Sequence, residues 1–342
     1  MAWYNEKGDM QDVVISTRVR FARNLEEYPF ASRLSDKAAD EIIDKVCAAL
    51  PEYSAERFFD NGGLKLRSYM EMHYVSPEFA SSVRHRALLS GEDGHVKIMV
   101  CEEDHLRIQS IVSGFDPKRA FEYAGQADDA LGKQLKIAFN EKYGYLTHCP
   151  TNLGVAMRVS AMLCLPALTM SRLVDQYAAA MNKMGITIRG LYGEGSRPSG
   201  CLYQVSNRAS LGSGENEIIK MMTEIVTKLV EAERKARASV FATNCADISD
   251  RVARSVGLLK TAYKLTSDEV TERFSDLKLG CALGIVEALS DEKLCELLIA
   301  VQPATVSLLR EGIEKENERD VARAALTRDI LKDVVIAYGK VS

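Results

Sequence analysis

The chain has little of what membrane insertion, secretion or nucleic-acid binding requires. No stretch of its 342 residues comes near the roughly 18 consecutive apolar residues of a membrane span. The first residues also lack the basic and apolar segments of a signal peptide. The formal net charge of −4 gives no general attraction to nucleic acid or to an anionic membrane. We therefore predict a cytoplasmic protein that binds neither, and that holds any anionic ligand by a local arginine cluster.

Patterns for metals, disulfides and parallel nucleotide-binding sheets are missing as well. The eight cysteines are scattered without a C-x-x-C pair, and the five histidines show no H-x-x-x-H spacing. These absences argue against a zinc ribbon, a disulfide framework and a protein-ligated metal. The glycine signatures G-x-G-x-x-G and G-x-x-x-x-G-K do not occur either. A nucleotide site, if present, must be built in another way.

Length and composition are those of an ordinary globular protein with two domains. Hydrophobic residues make up 46% of the chain and charged residues 27%, which allows a sizeable core. Residues 1–245 mix strand and helix patterns, and predict an α/β (α+β) domain with a mainly antiparallel sheet flanked by helices. Residues 246–342 are almost wholly helical in pattern. We place the domain boundary near residues 240–250.

Hydrophobic periodicity assigns the elements within these parts. The predicted strands are Asp12–Phe21, Leu64–Val75, Val96–Val100, Val155–Leu165, Ile186–Leu191 and Cys201–Ser206. The predicted helices of the first part are Ser35–Leu50, Pro117–Ala138, Ser171–Met184 and the amphipathic Glu217–Ala238. In the second part, Thr266 with Glu269 is typical of a capping box, Ser290 of an N-cap and Pro303 of a first helical turn.

A dense run of charges follows the short apolar strand Val96–Val100. Between Cys101 and Arg107 the chain carries three carboxylates, one imidazole and one guanidinium. Ionisable groups beside a buried strand are costly to desolvate unless they pair with one another or with a ligand. On these residues alone, a solvated strand exit is an equally good interpretation.

Further cations and one more carboxylate occur in similar settings. Arg18 and Arg20 share one face of an extended segment, and their repulsion favours an anion between them; an edge strand protected by cations is the alternative. A tight loop carries Cys149 and delivers Arg158 to an apolar strand; taken alone, that cysteine is more typical of a packed thiol than of a reactive one. Glu194 lies between two glycines, in a loop that can approach a ligand closely or be a simple turn.

Together these segments resemble the phosphagen (guanidino) kinase superfamily, and within it the bacterial protein arginine kinases. The matching runs are Ser-Thr-Arg-Val-Arg at 16–20, Glu-Glu-Asp-His-Leu-Arg at 102–107, Cys-Pro-Thr-Asn-Leu-Gly at 149–154, Arg158, and Arg-Gly-Leu-Tyr-Gly-Glu-Gly at 189–195. They follow the family's order and approximate spacing. The resemblance implies transfer of the γ-phosphoryl group of ATP to a guanidinium nitrogen, with Mg²⁺ held mainly by ATP and water.

The resemblance also implies a role for each matching residue. Glu103 and Glu194 would orient the acceptor guanidinium and remove its proton, with Cys149 against it as a thiolate. Arginine suits the phosphates because its planar fork binds their oxygens in pairs. The implied ATP-phosphate ligands are Ser16, Arg18, Arg20, Arg107, Arg158 and Arg189, and the other nucleotide-site candidates are His105, Asn207 and Arg208. Glu102, Asp104 and His105 would support the geometry of the site.

The C-terminal part carries one more pattern. Arg319 and Arg323 lie at positions i and i+4 of a predicted helix and share a face, which nearby alanines leave open. From the pattern alone, a solvated face balanced by acidic neighbours is the better interpretation. The run nevertheless resembles the phosphoarginine-binding motif of the protein arginine kinases. That motif would consist here of Arg319, Asp320, Arg323 and Ala324.

The resemblance finally implies partners, and two alternatives stay open. Arg18 comes too early for the helical N-terminal domain of small-metabolite phosphagen kinases, which favours protein substrates that present arginine. Family members mark proteins for a Clp ATPase/protease, work with a zinc-finger activator protein and form homodimers. One alternative is a kinase for free arginine or another small guanidino compound. The other is a phosphoarginine-binding adaptor with a weakened kinase domain, because Cys101 and Val155-Ala156 depart from the family pattern of asparagine and a Gly/Thr pair.

Overall fold

The computed structural model describes residues 2–191, 199–310, 313 and 315–337. Its strands are β1 (Val14–Arg23), β2 (Ser54–Phe58), β3 (Arg86–Ser90), β4 (Val96–Val100), β5 (Leu106–Ser113), β6 (Phe139–Asn140), β7 (Gly144–Tyr145), β8 (Met157–Cys164), β9 (Ile186–Gly190), β10 (Leu202–Asn207), β11 (Val286–Glu287) and β12 (Val335–Ile336). Eight of them form one antiparallel sheet in the order β2-β3-β4-β5-β1-β8-β10-β9, and β6-β7 and β11-β12 are short ribbons. The predicted fold class is confirmed.

Helices flank the sheet and make up most of the C-terminal part. They are α1 (Asp36–Ala49), α2 (Gly63–Glu71), α3 (Pro77–Ser81), α4 (Pro117–Gln134), α5 (Pro166–Met170), α6 (Val174–Lys183), α7 (Glu215–Thr261), α8 (Ser267–Ala282), α9 (Asp291–Ala300), α10 (Pro303–Leu309) and α11 (Glu316–Ile330). The predicted starts of the C-terminal helices are confirmed. Thr266 and Glu269 form a capping box on α8, Ser290 caps α9 and Pro303 opens α10.

One face of the sheet is covered by α1, α4 and the first half of α7. Val19 and Phe21 of β1 pack there with Ile42 of α1 and Val226 of α7, and all four side chains are at most 2% exposed. Burying one such side chain stabilises the fold by about 1.5–3 kcal/mol. Because side chains alternate along a strand, the residues between Val19 and Phe21 and on either side of them project from the opposite face.

The opposite face is covered only in part, by the C-terminal helices and by α2 and α3. Ile111 of β5 and Met162 of β8 share a second core with Phe274 of α8 and Leu298 of α9. Trp3 is fully buried in the same core. The C-terminal helices therefore pack directly on one part of this face, α2 and α3 pack on another part over β3 and β4, and a cavity lies between them.

The predicted boundary near residues 240–250 falls inside a single long helix. Helix α7 runs from Glu215 to Thr261, and Asn244 departs from helical torsion angles within it, with φ −134° and ψ 38°. The two predicted parts are thus joined by a bent helix and not by a loop.

The predicted strand Leu64–Val75 is wrong. Its first half is helix α2, in which Leu66 and Met70 are spaced by one helical turn and pack together in a small core. Its alternating apolar residues imitate a strand because two helical faces are buried, one against each neighbouring core. The sequence prediction also missed β2, β3 and β5. The last was hidden because Arg107 and Gln109 interrupt its apolar pattern.

Candidate active site

A cavity of about 750 Å³ lies on the open face of the sheet. Arg20 of β1 lies opposite Arg158 of β8 on one side and opposite Gln109 of β5 on the other. Side chains two residues apart on a strand share a face, so Arg18 and Arg107 project from this face as well. The sheet register thus brings together four of the six predicted phosphate ligands, and a fifth, Ser16, lies beside them. All five residues line the cavity.

The positive charge of this group is largely uncompensated. Arg18, Arg20 and Arg158 form no ion pair with any carboxylate in the described ranges, whereas Arg107 pairs with Glu102. Burial, with the charges of Arg158 and Arg107, lowers the pKa of Arg18 to about 10. Burial and the same kind of repulsion, chiefly from Arg18, lower the pKa of Arg20. Like charges held this close favour a bound anion, and phosphate oxygens match the guanidinium fork.

Arg189, the remaining predicted phosphate ligand, lies at the margin of this group. It is exposed on the edge strand β9, opposite Gln204 of β10, and does not line the cavity. After burial, its charge is the larger electrostatic influence that lowers the pKa of Arg158. Arg189 thus adds to the positive field of the site from outside the cavity.

Two carboxylates border the arginines at the end of the cavity near the Cys101–Arg107 turn. Glu102 accepts hydrogen bonds from Nη1 of Arg107 at 2.6 Å and from the Ser76 hydroxyl at 2.6 Å. Glu103 lies farther out, with Oε2 3.4 Å from Nη2 of Arg107. Burial raises the pKa of Glu103 above its ordinary value, although Arg107 opposes the effect. A carboxylate with a raised pKa is better suited to accept a proton.

Asp104 ties this turn to the loop that carries the predicted cysteine. Its buried Oδ1 accepts hydrogen bonds from Nδ2 of Asn24 and from the backbone N–H of His148, both at 2.7 Å. Cys149 follows directly, and its Sγ lies 3.0 Å from the hydroxyl of Thr151. Asp104 therefore holds the loop of Cys149 next to the turn that carries Glu103. The opposing carboxylate predicted from the sequence, Glu194, lies outside the described residues.

A second, smaller cavity of about 70 Å³ adjoins the first. Arg20, Arg107 and Arg158 line both cavities, so these three side chains stand between them. The far side of the small cavity is formed by the end of the cysteine loop and by the chain after β10, through Thr151, Asn152, Asn207 and Arg208. The arginines therefore separate the large cavity from the region of Cys149.

Two other nucleotide-site candidates are engaged with the backbone. His105 is fully buried; its Nδ1 accepts from the N–H of Leu25 at 3.1 Å and its Nε2 donates to the carbonyl of Pro29 at 2.8 Å. It lines neither cavity, and its two hydrogen bonds hold the backbone after β1 against the turn that carries Glu103. Asn207 accepts from the N–H of Val159 at 2.8 Å and fixes the start of β8. Arg208 is exposed at the rim of the small cavity.

His73 and Gln109 are among the residues of the large cavity that the sequence prediction missed. Burial and the charge of Arg18 lower the pKa of His73 to about 4, so its ring is neutral near pH 7. His73 has a positive φ of 63°, and its carbonyl accepts from Nε2 of Gln109 at 3.1 Å. His73 was hidden by the incorrect strand prediction. Gln109 was detectable, because it lies two residues after Arg107 on the same strand.

The predicted phosphoarginine motif lies in α11, and its open face is not observed. Arg323 is only 2% exposed, and Ala324 is fully buried. The guanidinium of Arg323 donates to the carbonyls of Val301 at 2.6 Å and Leu265 at 2.8 Å, and pairs with Asp320 at 2.5 Å. The prediction of an open arginine pair is wrong because Arg323 turns inward to bond these carbonyls. Arg319 is half-buried on the outer side.

No group of three or more His, Cys, Asp or Glu side chains in the described ranges is arranged to hold a metal ion. No helix in the same part of the chain is both long enough and apolar enough to cross a bilayer. The carboxylates that line the large cavity are Glu71, Glu78, Glu102 and Glu103.

The antiparallel sheet, its arginine group and the adjoining carboxylates define a phosphotransferase site of the guanidino kinase type. The family model for "ATP:guanido phosphotransferase, C-terminal catalytic domain" matches residues 52–236, and that for "Protein-arginine kinase McsB C-terminal domain" matches residues 245–337. The chain therefore belongs to the ATP:guanido phosphotransferase family, in the group that carries this second domain, and is a kinase.

Individual relatives agree with this assignment. The chain is 38% identical to a protein-arginine kinase of Bacillus subtilis over 96% of its own length and 93% of the relative. It is 39% identical to a protein-arginine kinase of Symbiobacterium thermophilum, over 95% of each chain. Among solved structures, the duplicated taurocyamine kinase from Schistosoma mansoni superposes with a TM-score of 0.56 at 27% identity, over 65% of this chain and 33% of that one. A lombricine kinase superposes with a TM-score of 0.57 at 22% identity, over 67% and 68%, which shows the fold alone.

Proposed function

We propose that this kinase transfers the γ-phosphoryl group of ATP to arginine side chains of proteins. The observation that carries the proposal is the uncompensated group of Arg18, Arg20 and Arg158, with Arg107, on one face of the sheet. Such a group binds a polyphosphate and offsets its charge as the reaction proceeds. The near full-length similarity to protein-arginine kinases supports a protein acceptor.

Phosphoryl transfer depends mainly on positioning and charge neutralisation. In this proposal the triphosphate lies across the arginines, the nucleoside fills the large cavity, and the γ-phosphoryl group points toward Glu103 and the Cys149 loop. A guanidinium has a pKa above about 12, so its nitrogen needs help to lose a proton. Glu103 orients that nitrogen and accepts its proton while the nitrogen–phosphorus bond forms and the bond to the β–γ bridging oxygen breaks. ADP leaves, and Glu194 would hold the guanidinium from the other side.

Magnesium fits this site as an ion carried by the nucleotide. Glu102, the carboxylate nearest to Arg107, is already bound to that arginine and to Ser76. In the described ranges no cluster of three ligating side chains accompanies it. Phosphate oxygens and water are the partners that Mg²⁺ prefers in kinase sites, where it neutralises phosphate charge.

The test is Glu103→Gln in the full-length protein, with an unfolded arginine-rich protein as acceptor. We expect the rate of phosphoarginine formation to fall about 10²–10⁴-fold, because proton acceptance and acceptor orientation are lost. ADP affinity should change less than about twofold, since the phosphate ligands remain. Mass spectrometry of acid-labile phosphoryl groups and calorimetric titration with ADP measure the two effects.

Glu92→Gln, an exposed carboxylate in the turn between β3 and β4, is the matched control. Unchanged turnover in Glu103→Gln would show that the wrong carboxylate has been assigned. Faster turnover of free arginine than of the protein acceptor would favour the small-guanidino alternative. No transfer to either acceptor by the unmodified protein would favour the adaptor alternative.

We further propose that the C-terminal part binds phosphoarginine near the start of α11, with Arg319 as the phosphate ligand. The observations in support are the match of the second family model and the half-buried position of Arg319 beside Asp320. Arg323 would hold this turn in place from inside. Titration with free phosphoarginine should show at least about tenfold weaker binding for Arg319→Ala, the effect of losing a charged hydrogen bond. The exposed Lys315→Ala is the control, and an equal loss in both variants would contradict the assignment.

The remaining expectations stay predictions, the first two from sequence patterns and the others from the family resemblance. They are the division into domains 1–245 and 246–342, the cytoplasmic location, the homodimer, the zinc-finger activator and the marking of substrates for a Clp ATPase/protease. Binding of the activator and of a second copy can be measured by light scattering of the purified full-length protein.

A further inference from the structure

The large cavity is closed at one end by a residue of the C-terminal part. Gln302, the N-cap residue of α10, lines the cavity together with Ile111 and Met162 of the sheet. The preceding residue, Val301, is fully buried in the core that contains the same Ile111 and Met162. Gln302 therefore lies at the apolar end of the cavity.

This end is distant from Arg107 and Arg158, whereas Arg18 of β1 lies opposite Ile111 of β5. Along β8 the side chains on the cavity face change from Arg158 to Ser160 to Met162, and along β5 they change from Arg107 through Gln109 to Ile111. Four residues of a strand span about 13 Å. A nucleotide whose terminal phosphates contact Arg107 and Arg158 therefore extends past Arg18, with its nucleoside toward Met162 and Gln302.

Gln302 is held in a fixed position with one hydrogen-bonding atom unused. Its side chain is 7% exposed, and its Nε2 donates to the carbonyl of Leu298 at 3.0 Å. In the described part of the chain, its Oε1 accepts no hydrogen bond. The following turn is clamped by Glu71 of α2, whose carboxylate accepts from the N–H groups of Ala304 and Thr305, both at 2.7 Å. Because Gln302 lines the cavity, this oxygen can accept a hydrogen bond from a ligand bound there.

We propose that Oε1 of Gln302 accepts a hydrogen bond from the nucleoside of ATP, so that the C-terminal part completes the nucleotide site. The inference rests on the proposed function, because it takes the phosphates to lie on the arginines. The donor is an N–H or O–H group of the nucleoside, either the exocyclic amino group of adenine or a ribose hydroxyl. Gln302 is thus a residue that selects the nucleoside and takes no part in the chemical step.

The experiment compares ADP with inorganic tripolyphosphate, which has no nucleoside, in calorimetric titrations of the full-length protein. In Gln302→Ala and in the similarly sized Gln302→Met, we expect ADP to bind about three- to tenfold more weakly, the effect of one hydrogen bond. Tripolyphosphate should bind both variants as it binds the unmodified protein. IDP, which lacks the amino group, and 2′,3′-dideoxy-ADP, which lacks the hydroxyls, identify the donor. The analogue that lacks the donor should bind the unmodified protein more weakly than ADP does. It should bind the Gln302 variants about as tightly as ADP does.

Thr305→Val is the matched control, because it removes a 2.8 Å hydrogen bond to Glu71 from the same turn and Thr305 itself does not line the cavity. Unchanged ADP affinity in the Gln302 variants would overturn the inference. An equal loss in Thr305→Val, or a loss of tripolyphosphate binding in the Gln302 variants, would also overturn it, since the effect would not be confined to the nucleoside. If the unmodified protein binds neither ADP nor tripolyphosphate, the proposed function itself fails.

Discussion

The arginines of the sheet and the arginine inside α11 have opposite surroundings. Arg18 and Arg20 face like charges and a cavity, and their pKa values are lowered by burial and repulsion. Arg323 is almost completely buried, but two carbonyls and Asp320 accept its hydrogen bonds. The comparison shows that burial alone does not define the role of an arginine. What matters is whether the fold supplies hydrogen-bond acceptors for the guanidinium. An arginine without such acceptors is suited to bind an anionic ligand.

The acceptors of Arg323 come from distant parts of the chain. The carbonyl of Leu265 lies just before α8, and that of Val301 lies just before α10. One guanidinium therefore joins the starts of two helices to α11. Removing it would leave buried carbonyls and a carboxylate without partners, which costs more than the pair itself contributes.

The largest expected effect is the loss of stability in Arg323→Met. We expect the free energy of unfolding to fall by about 3–5 kcal/mol, the cost of breaking a buried pair. ADP affinity should stay within about twofold, because Arg323 lines neither cavity. Urea denaturation followed by circular dichroism measures the first effect, and calorimetry the second. Arg254→Met, an exposed position on α7, is the control, and an equal loss of stability there would remove the contrast.

In Arg18→Met we expect the opposite result, a loss of ADP affinity without a loss of stability. ADP affinity should fall about ten- to a hundredfold, because a hydrogen bond to a charged group is lost. The free energy of unfolding should stay the same or rise, since a like charge next to Arg20 is removed. The same two measurements apply, with the exposed Arg33→Met as control. A loss of stability similar to that of Arg323→Met would mean that both kinds of arginine are structural.

The smallest expected effect is on the titration of His73. Burial is the first cause of its low pKa and the charge of Arg18 is the second. In Arg18→Met the pKa of His73 should therefore rise from about 4 but remain below its ordinary value of 6.5. The sign follows because removing a positive charge stabilises the protonated ring. Proton NMR of the imidazole measures the shift, and Arg323→Met should leave it unchanged; an unshifted pKa in Arg18→Met would show that Arg18 does not act on His73.

The contrast between the sheet arginines and Arg323 also shows how much of the structure the sequence could predict. The two-residue spacing of Arg18 and Arg20 is enough to place both on one face of a strand, because that periodicity is local. The i, i+4 spacing of Arg319 and Arg323 places their Cα atoms on one side of a helix. It does not show that the long side chain of Arg323 turns inward, because its carbonyl partners at Leu265 and Val301 are distant in sequence.

The same limit applies to the cavity. Gln302 and His73 carry no local signal, since each lines the site only after α2, α10 and the sheet have packed together. The turn from Glu102 to His105 was easier to recognise from the sequence, because several ionisable groups beside a buried strand must find partners. Each of its buried members has one in the structure: Glu102 binds Arg107, Asp104 binds Asn24, and His105 binds the backbone.

The bent helix α7 and the shared core have a consequence for cutting the chain. A fragment that ends at residue 245 keeps every strand of the large sheet but stops in the middle of α7. It also exposes Ile111 and Met162, which otherwise pack against Phe274 and Leu298, to water beside the nucleotide cavity. Such an apolar surface promotes aggregation and removes one wall of the site. The stretch that matches the family model of the catalytic domain, residues 52–236, is therefore smaller than the unit that has to fold for the large cavity to be closed.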